Sequence, residues 1–169
     1  LDSIRYHFRR SEETAAANQI DKAVSWLKLA ESHAMPITKE KMTTAVGELE
    51  SMSKDLRHGN TVAAASLDGS LAKAASALSE WHYYKAKESW GKNETQDAAR
   101  DLEMAAHYLQ YAANSAHYQF GPDTTEVVTK LYEHGKLKSE SVHYDHDTLG
   151  MHLQAIEHAI NDLSASLKK

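Results

Sequence analysis

The sequence predicts an all-α fold, an antiparallel helical bundle of five to seven helices within a single domain spanning 1–169. Three observations carry that prediction. Apolar residues recur at three- and four-residue spacing through most of the chain, which stacks side chains on one helical face. Only two prolines and seven glycines interrupt 169 residues, a scarcity that suits long helices. Between Leu71 and Phe120, two long periodic runs are joined by the short polar turn Gly91-Lys92-Asn93-Glu94.

Taken in order, Ser3 is a suitable cap for a first helix with Ile4, Phe8, Ser11 and Ala15 on one side, ending near Asn18. A second helix then begins near Ile20 or Asp21, with Ala23, Trp26, Leu27, Ala30 and Ala34 inward and Pro36 as its stop. One continuous helix over 3–34 fits equally well, because Ala15, Ala16 and Ala17 favour continuity. Thr38 caps a third helix carrying Met42, Ala45, Leu49, Met52 and Leu56, which Gly59-Asn60 ends. The fourth runs from Thr61 or Val62 to Trp90, with Leu71, Ala74, Ala75, Leu78, Trp81, His82 and Lys85 along one side and Gly69 as a weak point.

The fifth helix carries Ala98, Leu102, Ala105, Ala106, Leu109, Ala112, Ala113 and Ala116, a stripe whose small residues let a partner backbone approach closely. After Gly121-Pro122, Asp123 or Thr124 caps a short helix with Val127, Val128 and Leu131 inside, ending at His134-Gly135. The pattern lapses from Lys136 to His146, with extended character expected around Val142 and Tyr144. Asp145 or Asp147 then caps a last helix whose stripe is Leu149, His152, Leu153, Ile156, Ile160, Leu163 and Leu167.

Sliding the chain by 76 positions lays Phe8 on Tyr84, Glu12 on Glu88, Asp21 on Asp97, Trp26 on Leu102 and Ala30 on Ala106. This echo suggests a duplicated helical hairpin. Over about 30 residues in each half it resembles the hairpin of tetratricopeptide-type repeats, whose second helix also carries alanine at close contacts, although the copies stand at about twice that family's period.

Composition narrows function by exclusion. The formal net charge of -5 gives no general attraction to nucleic acid or anionic membrane. The absence of cysteine removes disulfides, thiolate nucleophiles and cysteine-held metal clusters. No apolar run approaches the roughly 20 residues of a membrane-spanning helix. The leading leucine suits a processed or trimmed chain, signal removal and trimming accounting for it equally well, and the reading leans slightly towards a periplasmic or secreted protein.

Eleven histidines are the compositional oddity. In His143-Tyr144-Asp145-His146-Asp147, the residues His143, His146 and Asp147 are the candidate contacts for a divalent metal, since imidazole and carboxylate are good ligands for zinc, copper or nickel. Trp81, Tyr84, Tyr108 and Tyr111 are candidate pocket lining between the two long helices, where bundles hold small ligands. His82 and Met104 are the residues available to haem there. Glu103 with His107 reads as a surface pair on one helix turn.

No phosphate loop, nucleophile elbow or zinc-peptidase string occurs. The expected function is a non-catalytic interaction or structural module, not an enzyme, with no cofactor, binding an unknown protein partner or itself. The alternative is a metal- or small-ligand-binding bundle.

Overall fold

In the computed structural model, which describes residues 1–137 and 143–169, the chain is all-α as predicted. Seven helices are present among the described residues: α1 (Asp2–Arg9), α2 (Glu13–Ser32), α3 (Pro36–Arg57), α4 (Ala64–Gly91), α5 (Thr95–Ala116), α6 (Pro122–Leu137) and α7 (His146–Leu167). No strand occurs among these residues. The extended character expected at Val142 lies outside them, and Tyr144 belongs to no regular element. The chain divides into two compact units, Leu1–Ala74 and Ala75–Lys169. Helix α4 begins in the first and continues into the second.

In the first unit, α1 and α2 are separate helices, but the break falls at residues 10–12 rather than near Asn18. Ser11 is not on an inner stripe. It sits in left-handed geometry at φ 57°, while Ser11 N–H donates to Phe8 O and Glu12 N–H donates to His7 O, both at 3.0 Å. These paired bonds close a helix in a Schellman turn. Ser3 caps nothing, because α1 already begins at Asp2 behind Leu1. Pro36 starts α3 instead of merely stopping α2: its fixed φ and missing N–H suit the first position of a helix. Thr38 therefore lies inside the first turn, fully buried, with its hydroxyl donating to Met35 O.

Helices α2 and α3 run antiparallel. Ser53 Oγ donates to Asp21 Oδ1 at 2.5 Å at one end, and Thr43 Oγ1 donates to Glu31 Oε1 at 2.5 Å at the other. The Ser53 hydroxyl and the Arg57 guanidinium together hold the Asp21 carboxyl below its ordinary range. Glu48 of α3 ties in α4 by accepting from Ser70 Oγ at 2.9 Å and Lys73 Nζ at 2.8 Å. Gly59, at φ 71°, closes α3 with the same Schellman bonds, as its sequence position predicts.

In the second unit, α4 and α5 form the antiparallel hairpin the sequence predicts. Ser79 Oγ donates to Ala105 O at 2.7 Å, and His82 Nδ1 meets Asp101 Oδ1 at 2.9 Å nearer the turn. From Ala98 to Ala113 every alanine and leucine of the predicted α5 stripe is buried. A hydroxyl can reach a backbone carbonyl inside a helix pair only when the helices are close, which is what alanine at position 105 permits. Helix α6 returns beside α5, with His107 stacked on Tyr132 at 5.7 Å. It begins at Pro122, so Asp123 lies in its first turn rather than at the cap. Asp145 does cap α7, accepting from Thr148 N–H at 2.7 Å, and the α7 stripe from Leu149 to Leu163 is buried.

The two units repeat one order of elements, in a register other than the echo at 76. That echo places the turn at residues 10–12 on residues 86–88, inside α4. An offset of 82 instead lays Ser11 on Asn93, and both sit at positive φ in Schellman turns. It also lays Ala16 on Ala98, Ile20 on Leu102, Leu27 on Leu109, Leu67 on Leu149 and Leu71 on Leu153, all buried. The α2–α3 connection is shorter than its α5–α6 counterpart, so Pro36 and Pro122 correspond four positions further on. In this register the early part of α4 corresponds to α7, and its later part corresponds to α1.

A prediction follows from the turns. Ser11 and His117 hold left-handed geometry at φ 57° and 53°, where a Cβ is strained and glycine is not. Ser11→Gly and His117→Gly each raise stability by about 0.5–1 kcal/mol. A rise in the urea midpoint at constant slope checks this, and a fall in midpoint contradicts the turn geometry.

Candidate functional site

The four predicted pocket residues do not face one another as a set. The ring laid on Tyr108 is that of His82, stacked at 5.7 Å, and Tyr108 is held above the ordinary phenol range by burial. Trp81 lies edge-on to His82 with Lys85 Nζ 4.6 Å over its ring. Tyr84 turns towards Tyr83, ring centroids 5.1 Å apart. Burial and the charges of Glu80 and Glu157 raise its pKa. Tyr111, on the next turn of α5, is half-buried. The hairpin therefore brings together His82, Asp101 and Tyr108, with Trp81 against His82 and Tyr84 against Tyr83. Met104 is partly exposed on α5.

The predicted metal contacts take two different situations. His143 and Asp147 are exposed. His146 is engaged by Trp90: the rings stack at 4.3 Å, the indole Nε1–H donates to His146 O at 2.7 Å, and His146 Nε2 lies 3.1 Å from Trp90 O. A carbonyl partner requires a proton on that nitrogen, the state in which it cannot ligate a metal. Close approach of the rings needs Gly150, where an added Cβ would stand 3.0 Å from Trp90 Cζ2. Among the described residues no group of three or more His, Asp or Glu side chains is placed to hold a metal ion.

Two features were not anticipated from the sequence. The first is a polar cluster where α6, the segment before α7 and α7 meet. His134 Nδ1 is hydrogen-bonded to Tyr144 Oη, and the Tyr144 ring stands edge-on to His152 at 5.6 Å. His152 is 8% exposed, and its Nε2 is buried with no hydrogen-bond partner among the described residues. Burial and the charge of Glu103 push Tyr144 up to about 12. Glu103, expected on the surface, is half-buried beside Gly135, and its pKa is raised by that burial.

His152 has the opposite shift. Burial, then the positive charges of Lys130 and His134, hold its pKa below the ordinary 6.5. Above pH 6.5 it is neutral folded or unfolded and contributes no pH dependence. Below that value the unfolded chain takes up a proton that the folded chain resists, so stability falls with pH until the folded pKa is passed. Thermal melts between pH 7.5 and 5 should show this decline, and His152→Leu should flatten it. An unchanged slope in the variant would remove His152 as its source.

The second feature is an exposed apolar face on α2. Trp26, expected inside, is 72% exposed, and Leu29 is 51% exposed. The actual inner face of α2 is Ala16, Ala17, Ile20, Val24, Leu27 and Ala30. Trp26 is one residue, about 100°, away from Leu27 on the helical wheel, so both cannot be central to the same face. Lys22, Trp26, Leu29 and His33 follow the spacing i, i+4, i+7, i+11 and form an outward stripe. Ile37, at the start of α3, is a further exposed aliphatic.

No protein-family model, no curated protein and no solved structure matches the chain. No described helix is long and apolar enough to cross a membrane.

Proposed function

We propose that this chain is a non-catalytic helical interaction module and that the outward stripe of α2, centred on Trp26 and Leu29, is its binding face. The observation that supports this reading is the exposure of a tryptophan and a leucine one turn apart on a helix whose opposite side is fully packed. An exposed tryptophan is an uncommon use of the side chain that most often anchors protein interfaces. The surrounding Lys22, Ser25 and His33 supply the polar rim that such faces carry.

Incorporating a photo-crosslinking amino acid at position 26 tests the reading, both in the source cells and in purified protein. The expected result is a discrete crosslinked species in at least one of the two. Irradiation that yields uncrosslinked protein in both would overturn the assignment of this face.

A second reading, a small-ligand site, is supported by the unpartnered Nε2 of His152 beside Tyr144 and His134. A bound small molecule seen by native mass spectrometry, and lost in His152→Leu, would favour it.

A further inference from the structure

We propose that the first unit binds a small linear organic amine in a cavity between α3 and α4, at a place that the second unit fills with its own Tyr144. The site is separate from the α2 face and goes beyond that reading.

The cavity measures about 460 Å³ and lies wholly within Leu1–Ala74, a size that suits a small ligand. Glu48, Met52 and Asp55 line it from α3, and Ser66, Gly69 and Ser70 line it from α4. Each set follows the three- and four-residue spacing of one helical face. The α4 residues are all small, so the two stripes meet around a space instead of closing it.

The internal repeat shows what larger residues do at this place. Pro36 and Pro122 set an offset of 86 between α3 and α6, which lays Met42 on Val128 and Ala45 on Leu131, all buried, and lays Glu48 on His134. The offset of 82 lays Ser66 on Thr148, Gly69 on Met151 and Ser70 on His152, the smaller residue standing in the first unit each time. Ser70 and His152 are both buried. In the same register Val62 stands where the second unit has Tyr144, whose hydroxyl is hydrogen-bonded to His134 and whose ring lies against His152. The second unit closes this place with an aromatic side chain of its own. The first unit keeps room there for a ligand.

The lining selects for a cation. Glu48 and Asp55 supply two carboxylates against the single ammonium of Lys73, which leaves one negative charge in excess. Asp55 accepts from the neutral Asn60 Nδ2 at 3.1 Å and has no cationic partner among the described residues, so it has capacity for a charge-assisted hydrogen bond from an ammonium group. Glu48 accepts from Ser70 and Lys73, and the exposed Lys73 pair is weak enough to be shared with a second donor. The two carboxylates stand seven residues, about 10 Å, apart along α3, with the thioether of Met52 between them to receive a methylene chain. A linear amine with a second donor fits that order of groups. A metal ion does not, because Lys73 already engages one of the two carboxylates and no group of three His, Asp or Glu side chains converges among the described residues.

Titration of the full chain with 1,4-diaminobutane tests this, followed by ¹H–¹⁵N NMR at about 150 mM salt, where exposed charges are screened. The uncharged analogue is 1,4-butanediol. The diamine should give saturable shifts centred on residues 48–55 and 66–73, and the diol should give none. Asp55→Asn should weaken binding about 10-fold or more, the scale of a charge-assisted hydrogen bond. Gly69→Met should weaken it as much by filling the space with the residue the second unit uses. An added Cβ at Gly69 meets nothing within 4 Å, and methionine is the better helix former, so this variant keeps its fold, as circular dichroism should verify.

Shifts that never saturate, that spread over the whole acidic surface, or that persist undiminished in either variant overturn the site. Binding of the diol as tight as that of the diamine overturns the assignment of a cationic ligand.

Discussion

Replacing Leu102 by alanine should destabilise the second unit by about 2–5 kcal/mol, the cost of emptying a fully buried leucine site. Leu102 lies on α5 between Ala98 and Ala105 and Ala106, all buried. Short neighbours of that kind cannot swing in to refill the space, so the loss should fall towards the upper part of the range. A chain of this length loses roughly 2–4 °C of melting temperature per kcal/mol, and the variant should melt on the order of 10 °C lower. A shift below about 2 °C would mean that α5 is not the buried centre of this unit.

The opposite change at the neighbouring site should also be costly. Ala105 is fully buried, and its carbonyl accepts the Ser79 hydroxyl at 2.7 Å from α4. Ala105→Leu inserts three carbons where the helices are held closest. Overpacking should cost about 1–3 kcal/mol, and separating the helices forfeits a buried hydrogen bond worth about 1 kcal/mol. Urea unfolding should show a lower midpoint, while Gln96→Leu on the exposed side of α5 should stay within about 0.5 kcal/mol of wild type. If Ala105→Leu were equally neutral, the close α4–α5 approach would be wrong.

The parts of the fold legible in the sequence are those where periodicity had no competitor. The stripe from Ala98 to Ala113 marks one side of α5, and no large apolar residue elsewhere on that helix disputes it. Gly59 announces the end of α3 because glycine is the usual residue at a left-handed position. Asp145 announces the start of α7 because a carboxylate there accepts a free helix N–H.

The misreadings have equally local causes. Ser11 occupies a left-handed turn without being glycine, so residues 3–18 look continuous. Trp26 counts as hydrophobic in any pattern, and placing it inward displaced Val24 and Ile20 from the real inner side. Pro36 can end one helix or begin the next, and the sequence pattern does not show that it begins α3. The echo at 76 followed similar residue types, whereas the register of 82 follows the Schellman turns and the buried positions.

Of the candidate sites, the sequence indicated His146 but not its engagement by Trp90, 56 positions away. The His134–Tyr144–His152 cluster was out of reach for the same reason: it is assembled by α6, residue 144 and α7, and spacing within one helix reveals none of it. The α2 face was hidden by the assumption that large apolar side chains belong to the core. Its exposure became informative only beside Tyr108, the covered residue at the equivalent place.

The most direct measurement is ¹⁹F NMR of the protein labelled with 5-fluorotryptophan, with the three resonances assigned by single Trp→Phe variants and compared in H2O and D2O. Trp26, 72% exposed, should show a large solvent isotope shift between H2O and D2O, while Trp90, held against His146, shows a smaller one. A Trp26 resonance shielded from solvent would contradict the account.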